Sequence, residues 1–215
     1  MFGRAALALA AVGALALSGC AGSSNLTSAP GSPSTSSSPT PSPPSLAADA
    51  HTALAQRLGA ATEFPGEKAA QPALFETAES FLSTFPIAPQ VAVYRDEGLQ
   101  AVVTKHLEVP GTNDAIRLVL MFDDAAGATH DVQHPLQGPP GSTFEKFKVP
   151  GIANGSGNEV AGPDGVVHGR NVMFAVGAYE YVIGVAPTDG AKQAPSRSRM
   201  IRLARQWYQQ VKEIT

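Results

Sequence analysis

Apolar and polar positions divide the chain into three unequal parts. An apolar run from Ala5 to Leu17 comes first, and a stretch from Ala21 to Ser45, almost wholly Ser, Thr, Pro, Gly and Ala, follows. From Leu46 onward large apolar residues return at regular spacing. Leu46, Ala50, Leu54 and Leu58 predict a helix, with Ser45 as its cap and Gly59 near its end. Phe64-Pro65-Gly66 marks a loop. After Pro72, the residues Leu74, Phe75, Ala78, Phe81, Leu82 and Phe85 fall on one helical face, and Pro86 stops that helix. The pattern then shifts to period two. Val91 and Val93 predict a strand, Asp96-Glu97-Gly98 a turn, and Leu99 to Val109 a second strand. Pro110 to Asp114 turns into a third, Ala115 to Phe122. Its run Leu118-Val119-Leu120-Met121-Phe122 is apolar on both faces, as in a strand covered on both sides.

Asp123 is positioned to cap a short helix from Asp124 to about His134, ended by Pro135. Phe144, Phe147 and Val149 with interleaved Glu145, Lys146 and Lys148 predict a strand from Thr143 to Val149. The Gly- and Asn-rich segment from Pro150 to Gly165 is expected to be irregular. Val166 to Val176 and Ala178 to Val185 read as two strands hinged at Gly177. Pro195 with Ser196 or Ser198 opens a last helix carrying Met200, Leu203, Ala204, Trp207, Val211 and Ile214 on one face. Strands in runs, bounded by helices and joined by short turns, give an α+β class. The expectation is a mostly antiparallel sheet of about five or six strands packed against helices, including the C-terminal one.

The N-terminal part reads as a leader. Arg4 precedes the apolar run, which is short against the about 20 residues a membrane span needs. It ends in Leu17-Ser18-Gly19-Cys20, and Cys20 is the single cysteine of the chain. Leu17-Ser18-Gly19-Cys20 resembles the lipobox of bacterial lipoproteins. That resemblance implies a signal peptide over 1–19, a diacylglyceryl thioether on Cys20, cleavage before it and acylation of the new N-terminus. Two or more acyl chains hold a protein stably at a bilayer. The implied location is the extracytoplasmic face of the cell membrane, in the cell envelope, and the covalent lipid on Cys20 is the non-protein group expected.

Residues 20–45 then form the lipidated cysteine and a spacer. The spacer lacks the apolar side chains needed to offset the entropy of ordering its backbone, so disorder is expected. Its prolines favour polyproline II, and full extension would hold a domain roughly 60–80 Å from the membrane. Thr27, Thr35 and Thr40 are candidates for O-glycosylation. Asn25-Leu26-Thr27 matches an N-glycosylation sequon, which a bacterial lipoprotein would not use. Residues 46–215 have the length of one globular α+β domain.

The hairpin segment Asn171 to Gly184, with Phe174, Gly177, Tyr179, Tyr181 and Val182, precedes the helix rich in Ala, Arg and Leu. This order is similar to one found in uncharacterised actinobacterial lipoproteins and secreted proteins, where a turn like Val149-Pro150-Gly151-Ile152 often comes first. The similarity covers about the last third of the chain and implies no catalytic residue. PsbP-like lipoproteins, with an α/β/α sandwich, suit the element order but share no diagnostic motif with the chain.

A net charge of −3 does not favour a nucleic-acid partner, whose electrostatic footprint would be basic. The absence of a second cysteine leaves the domain without a disulfide, so its core must stabilise it. His130 and His134 are four apart on the short helix, as a zinc site would need, with Asp131 or Asp123 able to add an oxygen. No glutamate lies between the histidines, so the pair is not the metalloprotease motif, and histidines at a helix C-terminus commonly just meet the dipole. Gly155-Ser156-Gly157 is not a nucleophile elbow, and no dinucleotide or phosphate-binding loop is present. Asp96-Glu97 and Asp123-Asp124 sit at turns, where acids cap or face solvent.

Arg197, Arg199, Arg202 and Arg205 crowd the first half of the last helix, where its dipole disfavours cations. They are candidates for an anionic partner or lipid headgroup, or for pairing with acids of the domain itself. Tyr179 and Tyr181 share one strand face with Glu180 on the other, and cover a core or line a groove. Three functions follow in order. The first is a non-enzymatic, membrane-anchored module binding an unknown protein, lipid or small molecule. The second is a structural accessory subunit of an envelope complex. The third is an envelope hydrolase or metalloenzyme using His130 and His134. The balance of motifs leans against an enzyme.

Overall fold

The computed structural model describes residues 46–85, 88–110, 114–134, 143–161, 167–186 and 195–214. The leader, Cys20, the spacer and Ser45 lie outside the described residues. Five helices and eight strands follow in the order α1 (Ala48–Gly59), β1 (Lys68–Ala69), β2 (Leu74–Thr77), α2 (Ala78–Thr84), α3 (Ala88–Asp96), β3 (Leu99–Glu108), β4 (Asp114–Phe122), α4 (Ala125–Gln133), β5 (Thr143–Lys148), β6 (Gly155–Ala161), β7 (Val167–Val176), β8 (Tyr179–Ala186) and α5 (Arg197–Val211). The strands form one antiparallel sheet in the order β1-β3-β4-β8-β7-β6-β5, with β2 alongside β1 on the outer side of β3. The α+β class, the antiparallel sheet and the C-terminal helix are as the sequence pattern leads one to expect.

Alternation along the strands builds two cores. Ala101, Val103, Ala115, Val119, Val172, Phe174, Tyr181, Ile183 and Val185 face α1 and α5, where Leu54, Leu58, Met200, Leu203, Ala204, Trp207 and Val211 meet them. Val102, Ile116, Leu118, Leu120, Met173 and Ala175 point the other way, onto Phe81, Leu82, Tyr94, Ala128 and Val132 of α2, α3 and α4. The result is a three-layer α/β/α arrangement, and it explains why β4 is apolar without alternation. Trp207 is fully buried, its indole edge on to Phe174 and Tyr181, and its N–H donates to the Arg57 carbonyl at 3.0 Å. Arg117 lies on the α1 face of β4. Its guanidinium donates to both carboxylate oxygens of Glu67 (2.6 and 2.5 Å) and to the Thr62 carbonyl (2.6 Å), tying the loop before β1 to the sheet. A buried pair of this kind is costly to break from one side, by about 3–5 kcal/mol.

Several local expectations are corrected. Leu74–Thr77 continues the helical spacing of α2, yet it forms β2, because the outer edge of β3 offers unpaired backbone from Ala101 to Thr104. Thr77 then caps α2, accepting the Ser80 N–H. Val91 and Val93 lie on a helix, not a strand. In α3, Val91 and Tyr94 are three apart and both reach the core shared with Phe81 and Phe85, so packing overrides the β preference of two valines. Asp124, not Asp123, caps α4, its Oδ1 accepting the Ala126 and Gly127 N–H groups at 2.8 and 2.9 Å. The segment expected to be irregular contains β6. Gly157 faces Phe147 of β5 so closely that a Cβ there would lie 2.2 Å from the ring, so small residues are what this strand pairing requires. Strands β1, β2 and β6 bring the total among the described residues to eight. Ser196 caps α5 and accepts the Arg199 N–H, as the sequence suggests.

Candidate functional site: a histidine–carboxylate cluster and an arginine-lined groove

Two places collect chemistry-bearing side chains, one on each helical layer. The first is built where α4 crosses the end of α3. After α3, Glu97 donates its N–H to the Val93 carbonyl and Gly98, at φ 75°, turns the chain into β3. Helix α4 approaches this turn through Gly127; a Cβ there would stand 2.2 Å from the Glu97 carbonyl oxygen. That close contact sets Glu97 beneath the histidines of α4.

The helical spacing of four holds: the His130 and His134 rings lie 4.8 Å apart, edge to face. His134 is the C-cap and already has extended backbone (ψ 139°), as a residue before proline prefers. Nδ1 of His130 hydrogen-bonds Glu97 Oε1, and Nδ1 of His134 is 3.6 Å from the same oxygen. The His130 side chain is 62% exposed and that of His134 33%, whereas that of Glu97 is 7% exposed. One carboxylate oxygen of Glu97, Oε2, is buried with no hydrogen-bond partner.

Beneath this surface lies a second tier of acids. Asp131 is turned inward, its Oδ1 accepting from Gln90 Nε2 at 3.0 Å. It also shares a hydrogen bond with Glu180, which β8 points to this face of the sheet. Burial pushes the Glu180 carboxyl well up, and the Asp131 charge adds to it. Burial also raises Asp131, against the hydrogen bond from Glu180. Glu97 is raised by burial, opposed by its bond to His130. Burial and the three neighbouring carboxyls likewise hold the Tyr94 hydroxyl well above its ordinary value. No lysine or arginine forms an ion pair with Glu97, Asp131 or Glu180 among the described residues.

The structure therefore brings His130 and His134 together and adds Glu97. Asp131 belongs to the buried tier, and Asp123 stands by Gly98 at the head of the helix. Glu97 was missed because it follows a helix that reads as a strand. Once α3 is recognised, Gln90, Tyr94 and Glu97 fall three and four apart on its inward side.

The second place is the outer face of α5. Arg197 is neutralised: its guanidinium binds Glu159 through two bonds (2.9 and 2.7 Å) and Glu145 at 2.6 Å. Arg170 also binds Glu159, and the Arg197 hydrogen bonds hold that carboxyl below its usual range against its partial burial. Arg199 reaches the Phe64 ring, 6.0 Å from its centroid. Arg202 and Arg205 differ. They line a groove of about 530 Å³ with Pro150, Ser198, Ile201 and Gln206, and form no ion pair among the described residues. Arg205 lies against Gly151, where a Cβ would meet its Nε at 3.0 Å. Tyr181 is buried in the aromatic core, and Tyr179 stacks under the Arg57 guanidinium at 3.7 Å, so these tyrosines cover the core.

No described helix is long and apolar enough to cross a membrane. No family model and no curated protein matches the chain. Among solved structures, the chain is similar to the extracellular domain of PknH from Mycobacterium tuberculosis, at 14% identity and a TM-score of 0.40, over 78% of this chain and 93% of that one. It is also similar to an uncharacterised protein of Mycobacterium smegmatis, the Rv0999 orthologue, at 12% identity and a TM-score of 0.36, over 67% of this chain and 79% of that one. At these values neither likeness assigns a function.

Proposed function

We propose that the chain is a lipid-anchored binding module of the cell envelope, held through Cys20, that takes an anionic, phosphate-bearing ligand on the outer face of α5. The observation that carries the reading is the pair Arg202 and Arg205, lining one groove without an acidic partner among the described residues, while Arg197 beside them is fully engaged by Glu159 and Glu145. In a chain of net charge −3, two arginines without an ion-pair partner among the described residues, on one helix face, form a local positive site. Guanidinium groups three residues apart on a helix suit the several oxygens of a phosphate. The spacer and anchor would present that face within reach of anionic headgroups. A structural-subunit role has less support, since Leu74 is the exposed large apolar side chain among the described residues and forms no patch.

The test is co-sedimentation of residues 20–215, carrying Cys20→Ser, with phosphatidylglycerol vesicles and with neutral phosphatidylcholine vesicles. Binding to the anionic vesicles alone is expected, weakened roughly thirtyfold in the Arg202→Gln/Arg205→Gln variant, at ~1 kcal/mol for each basic residue lost. Competition by inorganic phosphate would identify free phosphate as a ligand of the same groove. Equal sedimentation with both vesicle types, or an unaffected double variant, would refute the reading.

A further inference from the structure

On the opposite helical layer from α5, and independently of the arginine groove, we infer a divalent transition-metal site formed by Glu97, His130 and His134. The three side chains offer one carboxylate oxygen and two imidazole nitrogens, all within 4.8 Å of one another. Two nitrogens and one oxygen, with a fourth position open to solvent, is the donor set and count of an accessible zinc site. Imidazole with a single carboxylate selects zinc and its first-row neighbours over magnesium or calcium, which prefer all-oxygen shells.

Three features make this more than a histidine pair on a helix. The donors come from two elements, and the Gly127 contact fixes the distance between them. Glu97 is held in a nearly buried position, yet its Oε2 has no hydrogen-bond partner. An unpaired buried carboxylate oxygen costs free energy that a bound cation would recover. Finally, the side chains of Asp131 and Glu180 lie behind the site and no lysine or arginine pairs with either among the described residues, so no protein cation competes with a metal there. The His130 side chain is 62% exposed, so its ring has room to turn toward a metal shared with Glu97.

The experiment is calorimetric titration of the full chain in detergent with Zn²⁺, in a Cys20→Ser background so that no thiol competes, followed by Co²⁺ as a visible-absorption probe. One equivalent of metal is expected, with the absorption of a four-coordinate cobalt site. The His130→Ala and Glu97→Gln variants should each bind roughly tenfold or more weakly. Glu97→Gln is the decisive variant, because it keeps both histidines and the shape of the side chain. Circular dichroism of each variant shows whether it is folded, and His130→Ala alters an exposed side chain, so at least one variant reports on binding alone. Metal bound equally well by Glu97→Gln would reduce the site to an adventitious histidine pair, and the absence of any saturable binding would overturn the inference outright.

Discussion

Glu180 is 1% exposed, lies on the face of β8 that meets α4, and has Asp131 rather than a cation as its partner. Burial without a cation favours the neutral form of this carboxyl and raises its pKa. A group whose folded pKa is raised contributes stability that is fully present below the unfolded value, about 4.3 for glutamate, and is lost as pH rises through the folded value. That contribution should therefore decline as pH rises above the unfolded value. Glu180→Gln, which keeps the hydrogen bond to Asp131 without a titrating proton, should flatten that decline. Urea unfolding at a series of pH values measures it, and an unchanged slope in the variant would assign the dependence to another group. At this scale two residues are legible from sequence: Trp207 by its place on an apolar helix face, and Ser196 by its cap position. Glu97 and Glu180 are not, because an acid at a turn and an acid alternating with tyrosines both read as solvent-facing until the covering helix is known.

At the level of elements, long periodic segments are read correctly and short ones are decided by their neighbours. The strands β3, β4, β7 and β8 and the helices α1 and α5 follow directly from their patterns. Residues 74–77 and 88–96 do not, since the former is captured by the free edge of β3 and the latter by the core beneath α2. The seating of α4 on the α3 turn depends on Gly127, which has no room for a side chain. Gly127→Ala should force the two helices apart and destabilise the protein by about 1–3 kcal/mol, the usual range for overpacking. It should also lower any metal affinity at His130, because Glu97 moves with the turn. Thermal unfolding checks the first effect, and a variant as stable as the parent would show that α4 can slide without cost.

For the molecule as a whole, the anchor reading predicts that Cys20→Ser shifts the chain from the membrane fraction to the soluble fraction of expressing actinobacterial cells, while its melting temperature after purification stays unchanged. Retention in the membrane fraction would show that another part of the chain carries attachment. The expectations of a leader, a lipobox and a spacer rest on local signals alone, and the Cys20→Ser experiment tests them. The α+β class was determined by the sequence, because hydrophobic period is a property of the linear chain. The rest required the third dimension. The order of the sheet, the sorting of helices to its two faces, and the meeting of Glu97 with His130 and His134 depend on contacts between residues tens of positions apart. Such contacts are selected by the burial of both sheet faces at once, a condition no single segment encodes.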